Sequence, residues 1–386
     1  MLRRLINPSE THSFFLFGPR GSGKTSLLKM DFIDSSALYI DLLRHEEFEE
    51  LSLRPDALAE RVRAKPGIMR VIIDEVQKVP ALLDVVHQLI ESEKKIQFIL
   101  TGSSARKLKR GGANLLAGRA FIYNLYPFTS VELKSSFDLD SALEWGTLPG
   151  LTDLEGEEGK REFLRAYAGT YLREEILQEG IIRRLEPFQR FLPVAAQTSG
   201  SVLNYSRIGR DVGAAPQTVE NYFHILEDTL IGFFVPAFHR SIRKQQRKSP
   251  KFYLFDPGVI RALARETSIR LKPSTYAYGR AFEHFVIQEI HRLCSYRRKD
   301  DELFYYQSHG GVEVDLIIDR PGLPTAAIEI KSTTRVRDDH IVHLAKIEKD
   351  LAPCRAMCLS RDPNPKKITN VECLHWSEGL AELGLA

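Results

Sequence analysis

The stretch FFLFGPRGSGKTS, residues 14–26, joins an apolar run to a glycine-rich segment that ends in Lys24 and Thr25. The spacing G-x-x-x-x-G-K-T, with leucines after it, predicts a strand, a phosphate-binding loop and a helix. Glycines let backbone N–H groups converge on one anion, and the positive end of a helix strengthens that attraction. Lys24 is expected to reach the β- and γ-phosphates of ATP, and the Thr25 hydroxyl to bind Mg²⁺. The residues expected to contact ATP in this loop are Gly18, Pro19, Arg20, Gly21, Ser22, Gly23, Lys24, Thr25 and Ser26.

Two carboxylates follow a β-branched run in the sequence RVIIDE at residues 70–75. A buried parallel strand is a continuous apolar run, and open α/β sheets bind ligands at the carboxyl ends of their strands. Asp74 is therefore predicted to hold Mg²⁺ through water, beside the phosphates. Glu75 is predicted to orient and activate the attacking water.

Further polar residues mark the ends of neighbouring strands. Thr101 and Ser103 end the run IQFILTGSS and are the candidates for sensing the γ-phosphate. Gln77 fits the same role or an ordinary surface position. Arg119 precedes a fifth strand, and it fits either an arginine that a neighbouring subunit supplies to the transition state or a salt-bridged surface residue.

Charged residues lie between apolar ones in two strand-like runs near the C-terminus. The run VEVDLIID at 312–319 contains acids, and the run AAIEIK at 326–331 contains an acid and a lysine. Residues two apart in a strand share a face, so Glu329 and Lys331 point the same way. Facing Asp315 across antiparallel strands, they would form a patch suited to Mg²⁺-assisted phosphodiester hydrolysis, with Asp315 and Glu329 as metal ligands. Lys331 would steady the nucleophile or the developing charge.

Four regions of the chain are expected to position these groups. Residues 1–137 alternate five strand-like runs with helical ones, which predicts an α/β domain. Residues 138–190 form a helical linker that begins with a loop-like, glycine-rich boundary up to residue 159. Residues 191–260 predict a winged-helix domain, and residues 261–386 an α/β domain that carries the C-terminal acids.

The winged-helix prediction depends on two helices joined at Gly213 and followed by two strand-like runs with a basic connection. Cations on such a hairpin would neutralise DNA phosphates. The alternative is a solvated basic loop on a module that contacts protein. The residues predicted to bind DNA are Arg240, Arg243, Lys244, Arg247, Lys248 and Lys251.

Composition narrows the class of protein. The 386 residues include 54 Lys and Arg against 51 Asp and Glu, a formal net charge of +3, so any basic surface must be local. Four cysteines in a chain of this size do not make a disulfide framework. No apolar run reaches membrane-spanning length and the N-terminus lacks an apolar leader, so we expect a cytoplasmic protein with no membrane partner.

The segments GPRGSGKTS, VIIDEVQKVP, ILTGSS and LAGRAFIYNLYPFT resemble the AAA-type predicted ATPase family of bacteria and archaea, over about the whole chain. The resemblance implies a P-loop AAA+ ATPase domain, ATP and Mg²⁺ as cofactors, a second conserved domain, and a homo-oligomeric ring. The C-terminal pattern resembles the PD-(D/E)xK nuclease superfamily of restriction-endonuclease-like folds. That resemblance implies that Glu283, on a preceding helix, joins Asp315, Glu329 and Lys331. Val314 replaces the proline that usually precedes the aspartate.

Two functions agree with these patterns. The first is an ATP-dependent DNA-processing motor that translocates on DNA or remodels it and cleaves it with the C-terminal site. The alternative is a regulatory ATP-binding switch whose winged-helix and nuclease-like domains only bind nucleic acid or protein partners.

Overall fold

A computed structural model describes residues 2–106, 108, 116, 118–171, 185–239, 245, 248–308, 312–345 and 354–386. Within these residues, no helix is both long enough and apolar enough to cross a membrane.

The first unit is built around a parallel sheet of five strands, which confirms the α/β fold expected for this part of the chain. The strands are β1 (Phe14–Phe17), β2 (Ala37–Asp41), β3 (Arg70–Asp74), β4 (Gln97–Gly102) and β5 (Phe121–Asn124). Their order across the sheet is β2-β3-β4-β1-β5, and all neighbours are parallel. The three central strands are almost fully buried because their apolar runs are covered on both faces.

The sheet order brings three strand ends together. Because β4 lies between β1 and β3, the segments that follow these strands meet at one edge of the sheet. The Gly18 N–H donates to the Gly102 carbonyl (3.3 Å), which ties the phosphate loop to the end of β4. A Cβ on Gly18 would lie 2.4 Å from the Leu125 carbonyl oxygen, so this approach requires glycine. The helices that connect the strands are α1 (Lys24–Asp31), α2 (His45–Leu53), α3 (Ala57–Ala64) and α4 (Leu82–Ser92).

The segment after the first unit is helical, including the part that the sequence predicted to be loop-like. Its glycines and prolines separate short helices. In one of them, Asp138 caps the start by accepting from the Ser141 N–H, and Gly146 ends the helix with a φ of 81°. The prediction of a loop over residues 138–159 was therefore wrong, because turn residues were interpreted as a continuous loop. The helices are α5 (Ser130–Leu133), α6 (Leu139–Trp145), α7 (Pro149–Thr152) and α8 (Gly156–Ala166).

The middle of the chain contains the helices and the strand pair that the sequence predicted. Gly213 ends the first helix of the helix–turn–helix pair in the left-handed conformation (φ 72°), and Pro216 begins the second. An antiparallel pair of strands follows. Their interpretation as a winged helix stays a prediction. The elements are α9 (Leu185–Thr198), α10 (Tyr205–Val212), α11 (Pro216–Asp228), β6 (Gly232–Val235) and β7 (Lys251–Leu254).

The C-terminal unit is a mixed sheet of six strands with a long helix on one face. The sheet order is β12-β13-β11-β10-β9-β8, with β8, β9 and β10 antiparallel to one another and β10 parallel to β11. The strands are β8 (Glu302–Gln307), β9 (Glu313–Asp319), β10 (Thr325–Lys331), β11 (Cys354–Ser360), β12 (Lys366–Ile368) and β13 (Val371–His375). The helices are α12 (Pro257–Leu263), α13 (Tyr276–Arg297) and α14 (Trp376–Glu382).

Helix α13 connects the units. Its apolar residues Phe282 and Phe285 share a core with Leu316 and Ile328 of the C-terminal sheet. The hairpin of β6 and β7 adjoins the same sheet, because the chain after β6 pairs with β8 through a bridge between Ala237 and Tyr305. The C-terminal acids therefore lie where the hairpin, α13 and the sheet meet.

Candidate functional site

The phosphate loop has the conformation that its glycines require. Gly21 and Gly23 have φ of 76° and 93°, values that other residues rarely adopt, and α1 begins directly after Gly23. The Lys24 ammonium donates to the Gly18 carbonyl at 2.7 Å and more weakly to the Pro19 carbonyl at 3.4 Å, so it lies across the mouth of the loop. This arrangement places a fixed cation and the N-terminus of α1 at one anion site.

Three hydroxyl groups surround the buried Asp74 carboxylate. Thr25 Oγ1 donates to Asp74 Oδ2 at 2.8 Å, the Tyr39 hydroxyl donates to the same oxygen at 2.9 Å, and Thr101 donates to Oδ1. The structure thus brings the predicted magnesium ligands Thr25 and Asp74 into contact. Hydroxyl and carboxylate oxygens are the ligands that Mg²⁺ prefers, so these residues fit the ion.

Tyr39 belongs to this site although the sequence analysis did not identify it. Burial, followed by the neighbouring Asp74 carboxylate, raises the pKa of its hydroxyl well above the usual value, so it stays a donor. Its only signal in the sequence was a polar side chain inside an otherwise apolar strand.

Glu75 is held beside Asp74 by the end of β4. Its backbone is left-handed (φ 62°), and its N–H donates to Thr101 Oγ1 at 3.1 Å. The Gln77 side-chain amide donates to the Glu75 carboxylate and lies 3.4 Å from Ser103 Oγ. The candidate sensors are thereby separated, since Thr101 contacts Asp74 while Gln77 and Ser103 contact the Glu75 side.

A cavity of about 820 Å³ opens beside the phosphate loop. Gly21, Gly23 and Leu27 line it from the loop and α1, Arg4 from the N-terminal segment, and Pro149 from α7. Its position next to the anion site and its partly apolar walls suit the nucleoside part of a nucleotide.

Arg119 lies on the surface of the first unit. Its guanidinium pairs with Glu91, and both side chains are solvent-exposed. This position agrees with both alternatives for Arg119, and the role of an arginine supplied to a neighbouring subunit stays a prediction.

The structure also brings the four predicted C-terminal residues together. Lys331 Nζ lies 2.5 Å from Glu329 Oε1, and the Ile330 N–H donates to Asp315 Oδ2 at 2.7 Å. Glu283, from α13, lies close enough to Asp315 for the two charges to interact strongly. The backbone contact fixes Asp315 where the pairing of β9 with β10 ends.

Crowding of these acids raises their affinity for protons. Burial, then repulsion by Asp315, raises the pKa of Glu283 to about 8 and that of Glu329 to about 7. Burial also raises the pKa of Asp315. Burial opposes the charge on Lys331, but Asp315 and Glu329 outweigh it and raise the pKa of the amine.

A divalent cation fits part of this cluster. Glu329 Oε2 is buried without a hydrogen-bond partner among the described residues, which leaves a lone pair available to a cation. No group of three or more His, Cys, Asp or Glu side chains with metal-ligating geometry occurs in the described part of the chain. The pair predicted from the sequence, Asp315 and Glu329, stays the candidate donor set for a metal.

Two of the six residues predicted to bind DNA, Lys248 and Lys251, belong to the described part of the chain. Arg240, Arg243, Lys244 and Arg247 lie outside the described residues. Lys248 Nζ donates to the Gln307 carbonyl at 3.0 Å. Lys251 was predicted to lie in the basic connection between the two strands, and this was wrong: it begins β7, where it is 3% exposed and paired with Glu313.

Helix α11 offers little to a DNA backbone. Its sequence, PQTVENYFHILED, contains no lysine or arginine. The exposed arginines nearest to it in sequence are Arg207 and Arg210 on α10.

Three family models match successive parts of the chain. Residues 10–134 match a family described as AAA domain, residues 136–270 one described as Domain of unknown function (DUF8612), and residues 278–377 one described as Domain of unknown function (DUF4143). The match to the AAA domain, together with the parallel sheet and phosphate loop, supports an AAA-type ATPase family.

Relatives are similar along most of the chain. An uncharacterized protein of Mycobacterium tuberculosis is 26% identical over 354 residues, which span 91% of this chain and 77% of the relative. An uncharacterized protein of Haemophilus influenzae is 21% identical over 347 residues, with 79% of this chain and 84% of the relative covered.

Two solved structures have partial similarity to the chain. The replication initiator DnaA bound to AMPPCP and single-stranded DNA has 14% identity and a TM-score of 0.28, with 57% of this chain and 84% of that chain covered. Thermococcus gammatolerans McrB, as AAA+ hexamers with bound McrC, has 10% identity and a TM-score of 0.20, with 50% and 47% covered. Scores this low do not establish a shared overall fold.

Proposed function

We propose that this chain is an ATP-dependent DNA-processing enzyme that hydrolyses ATP with Mg²⁺ at the phosphate loop and cleaves DNA at the C-terminal acid site. The observation that carries the proposal is the convergence of Lys24, Thr25, Asp74 and Glu75 at one edge of the first sheet: Lys24 binds the Gly18 carbonyl after β1, Thr25 binds Asp74 at the end of β3, and the Glu75 N–H binds Thr101 of β4. AAA-type family membership of the first unit agrees with ATP hydrolysis.

In the nucleotide site, the loop N–H groups and Lys24 bind the β- and γ-phosphates. Thr25 and Asp74 would hold Mg²⁺, which neutralises phosphate charge when bound. Glu75 orients the attacking water and accepts its proton, since it is the carboxylate beside the phosphates that Thr25 does not contact. The Thr101 hydroxyl fixes the positions of both acids, because it donates to the Asp74 carboxylate and accepts from the Glu75 N–H.

In the C-terminal site, Asp315 and Glu329 would hold the divalent cation, which supplies an activated water when bound. Lys331 stabilises the charge that develops on the phosphate, and its contact with Glu329 fixes its position. Glu283 holds a proton near neutral pH, because its pKa of about 8 keeps much of it protonated, and it can deliver that proton within the site.

DNA as substrate and a homo-oligomer as the assembly complete the proposal. The solved structures with partial similarity include a DNA-bound initiator and a hexameric AAA+ assembly. The regulatory switch remains a second candidate, and the lack of basic residues on α11 favours it over a motor with a DNA-reading helix.

Steady-state ATP hydrolysis, measured with and without DNA, separates the two candidates. A motor is expected to hydrolyse ATP several-fold faster with DNA, and Lys24→Ala is expected to abolish both rates because the phosphates lose their fixed cation. Slow hydrolysis that does not respond to DNA would favour the switch.

A Mg²⁺-dependent cleavage assay tests the C-terminal site. Asp315→Ala and Lys331→Ala are each expected to reduce cleavage by at least about a hundredfold, because each removes a charge that the reaction requires. ATP hydrolysis by the same two variants is expected to stay unchanged. Cleavage retained by both variants would refute this site.

A further inference from the structure

The hairpin of the middle unit contributes side chains to the C-terminal acid site. Lys251 and Tyr253 are two residues apart on β7, so they project from the same face of the strand. Both are buried; Lys251 pairs with Glu313 of β9, and burial, followed by the charges of Glu283 and Asp315, raises the pKa of the Tyr253 hydroxyl. The site therefore draws on a segment outside the pattern of Asp315, Glu329 and Lys331.

Lys251 has a defined partner in this place. Its ammonium pairs with Glu313 and lies 5.3 Å from the centre of the Tyr305 ring. Glu313 is two residues before Asp315 on β9, which places both carboxylates on one face. The Lys251 side chain is 4% exposed while that of Glu313 is 39% exposed, so the lysine is the fixed member of the pair.

The charged side chains of the C-terminal site have a negative net charge. The acids are Glu283, Glu313, Asp315 and Glu329, and the cations are Lys251 and Lys331. With every group ionised, these are four negative and two positive charges, a net charge of −2; with Glu283 protonated, the net charge is −1. Without Lys251 the site is one charge more negative in either state, and Glu313 has lost the cation that pairs with it.

We propose that Lys251 is a positioning residue of the C-terminal site: it holds Glu313 in an ion pair and lowers the affinity of the site for a divalent cation. This inference rests on the proposed function, because it takes Asp315 and Glu329 as the ligands. The burial of Lys251 separates this role from a contact with DNA phosphates.

Calorimetric titration with Mn²⁺, in the absence of nucleotide, tests the inference on the full chain. Lys251→Met is expected to bind Mn²⁺ on the order of tenfold more tightly than the unmodified chain, because the repulsion of one nearby cation is gone and one carboxylate is added. The double variant Lys251→Met with Glu313→Gln is expected to return to the affinity of the unmodified chain. Lys248→Met is the matched control, since Lys248 contacts a backbone carbonyl instead of an acid.

An unchanged Mn²⁺ affinity in Lys251→Met, or a tighter affinity that Glu313→Gln does not reverse, would overturn the inference. If Lys251→Met does not fold, Glu313→Gln alone decides, because it leaves Lys251 unpaired and is expected to weaken Mn²⁺ binding on the order of tenfold. Unchanged binding in that variant would also overturn the inference.

Failure of the proposed function gives a different result. Loss of Mn²⁺ binding in Asp315→Asn, with no cleavage of DNA by the unmodified chain, would remove the nuclease proposal and leave the role of Lys251 intact. Mn²⁺ binding that does not depend on Asp315 would remove the metal site itself and the inference with it.

Discussion

Single hydroxyl groups organise the nucleotide site at the scale of residues. Thr101 Oγ1 donates to Asp74 and accepts from the Glu75 N–H, so one side chain orients the two acids with different tasks. The sequence indicated Thr101 as a sensor of the γ-phosphate. Its described contacts are with the two acids, while Ser103 and Gln77 lie on the side of Glu75, and the sensor role stays a prediction for all three.

Glu75→Gln separates binding from hydrolysis. The amide keeps the size of the side chain but cannot accept a proton from water, so the hydrolysis rate is expected to fall about 10²- to 10⁴-fold. The affinity for ATP, measured by titration with a fluorescent analogue, is expected to change less than about threefold, because Lys24 and Thr25 are intact. A variant that hydrolyses ATP at the normal rate would assign the activation of water to another group.

Helix α13 contacts three parts of the chain at the scale of elements. It carries Glu283 into the C-terminal site, and six residues later Glu289 accepts from both the N–H and the hydroxyl of Ser130 at the start of α5. Arg292 then donates to the carbonyls of Phe128 and Phe255. The same helix therefore binds the first unit, the middle unit and the C-terminal sheet.

Buried His284 on α13 makes the fold sensitive to acid. Burial lowers its pKa from 6.5 to about 3, so the folded chain keeps it neutral while the unfolded chain binds a proton below about pH 6.5. The stability that a neutral His284 contributes is complete above that pH and is lost as the pH falls, at about 1.4 kcal/mol per pH unit, or about 2 kcal/mol at pH 5.

The measurement is urea unfolding between pH 7 and pH 5. His284→Gln is expected to remove about one proton's worth of this pH dependence, whatever its effect on stability at pH 7. His45→Gln is the control, because the side chain of His45 is 80% exposed. The same pH slope in the His284 variant and in the unmodified chain would contradict the assignment.

Local patterns predicted the strand ends well, and long-range contacts were out of their reach. The residues after β1, β3 and β4 could be placed from apolar runs and glycine spacing because the required signals are a few residues long. Lys251 was misplaced because its partner Glu313 is 62 positions away, and nothing near it in sequence announces that pairing. The helices between residues 138 and 159 were missed because each is too short to show a period.

Arg4 links the units at the scale of the whole molecule. Its buried guanidinium donates to the Ser22 carbonyl of the phosphate loop at 2.7 Å, to Glu132 at 2.9 Å and to the Tyr296 hydroxyl of α13 at 3.0 Å. The Tyr126 N–H also donates to the Tyr296 hydroxyl, at 2.9 Å. The nucleotide loop and the helix that carries Glu283 thus share one cation.

Tyr296→Phe removes this hydroxyl and is expected to destabilise the chain by about 1–3 kcal/mol, because two buried donors lose a partner. Urea unfolding measures the change. Tyr276→Phe, on the same helix but 87% exposed, is the matched control and is expected to change stability by less than about 0.5 kcal/mol. Equal stabilities of the two variants would show that the contact between the units contributes nothing.

We propose that one chain holds a nucleotide site and a separate divalent-cation site. Anomalous diffraction from crystals grown with Mn²⁺ and a non-hydrolysable ATP analogue tests it most directly. We expect the analogue's phosphates beside Lys24, one Mn²⁺ peak next to Thr25, and a second peak between Asp315 and Glu329. A map with no phosphates at Lys24, or with no Mn²⁺ between Asp315 and Glu329, would contradict the account.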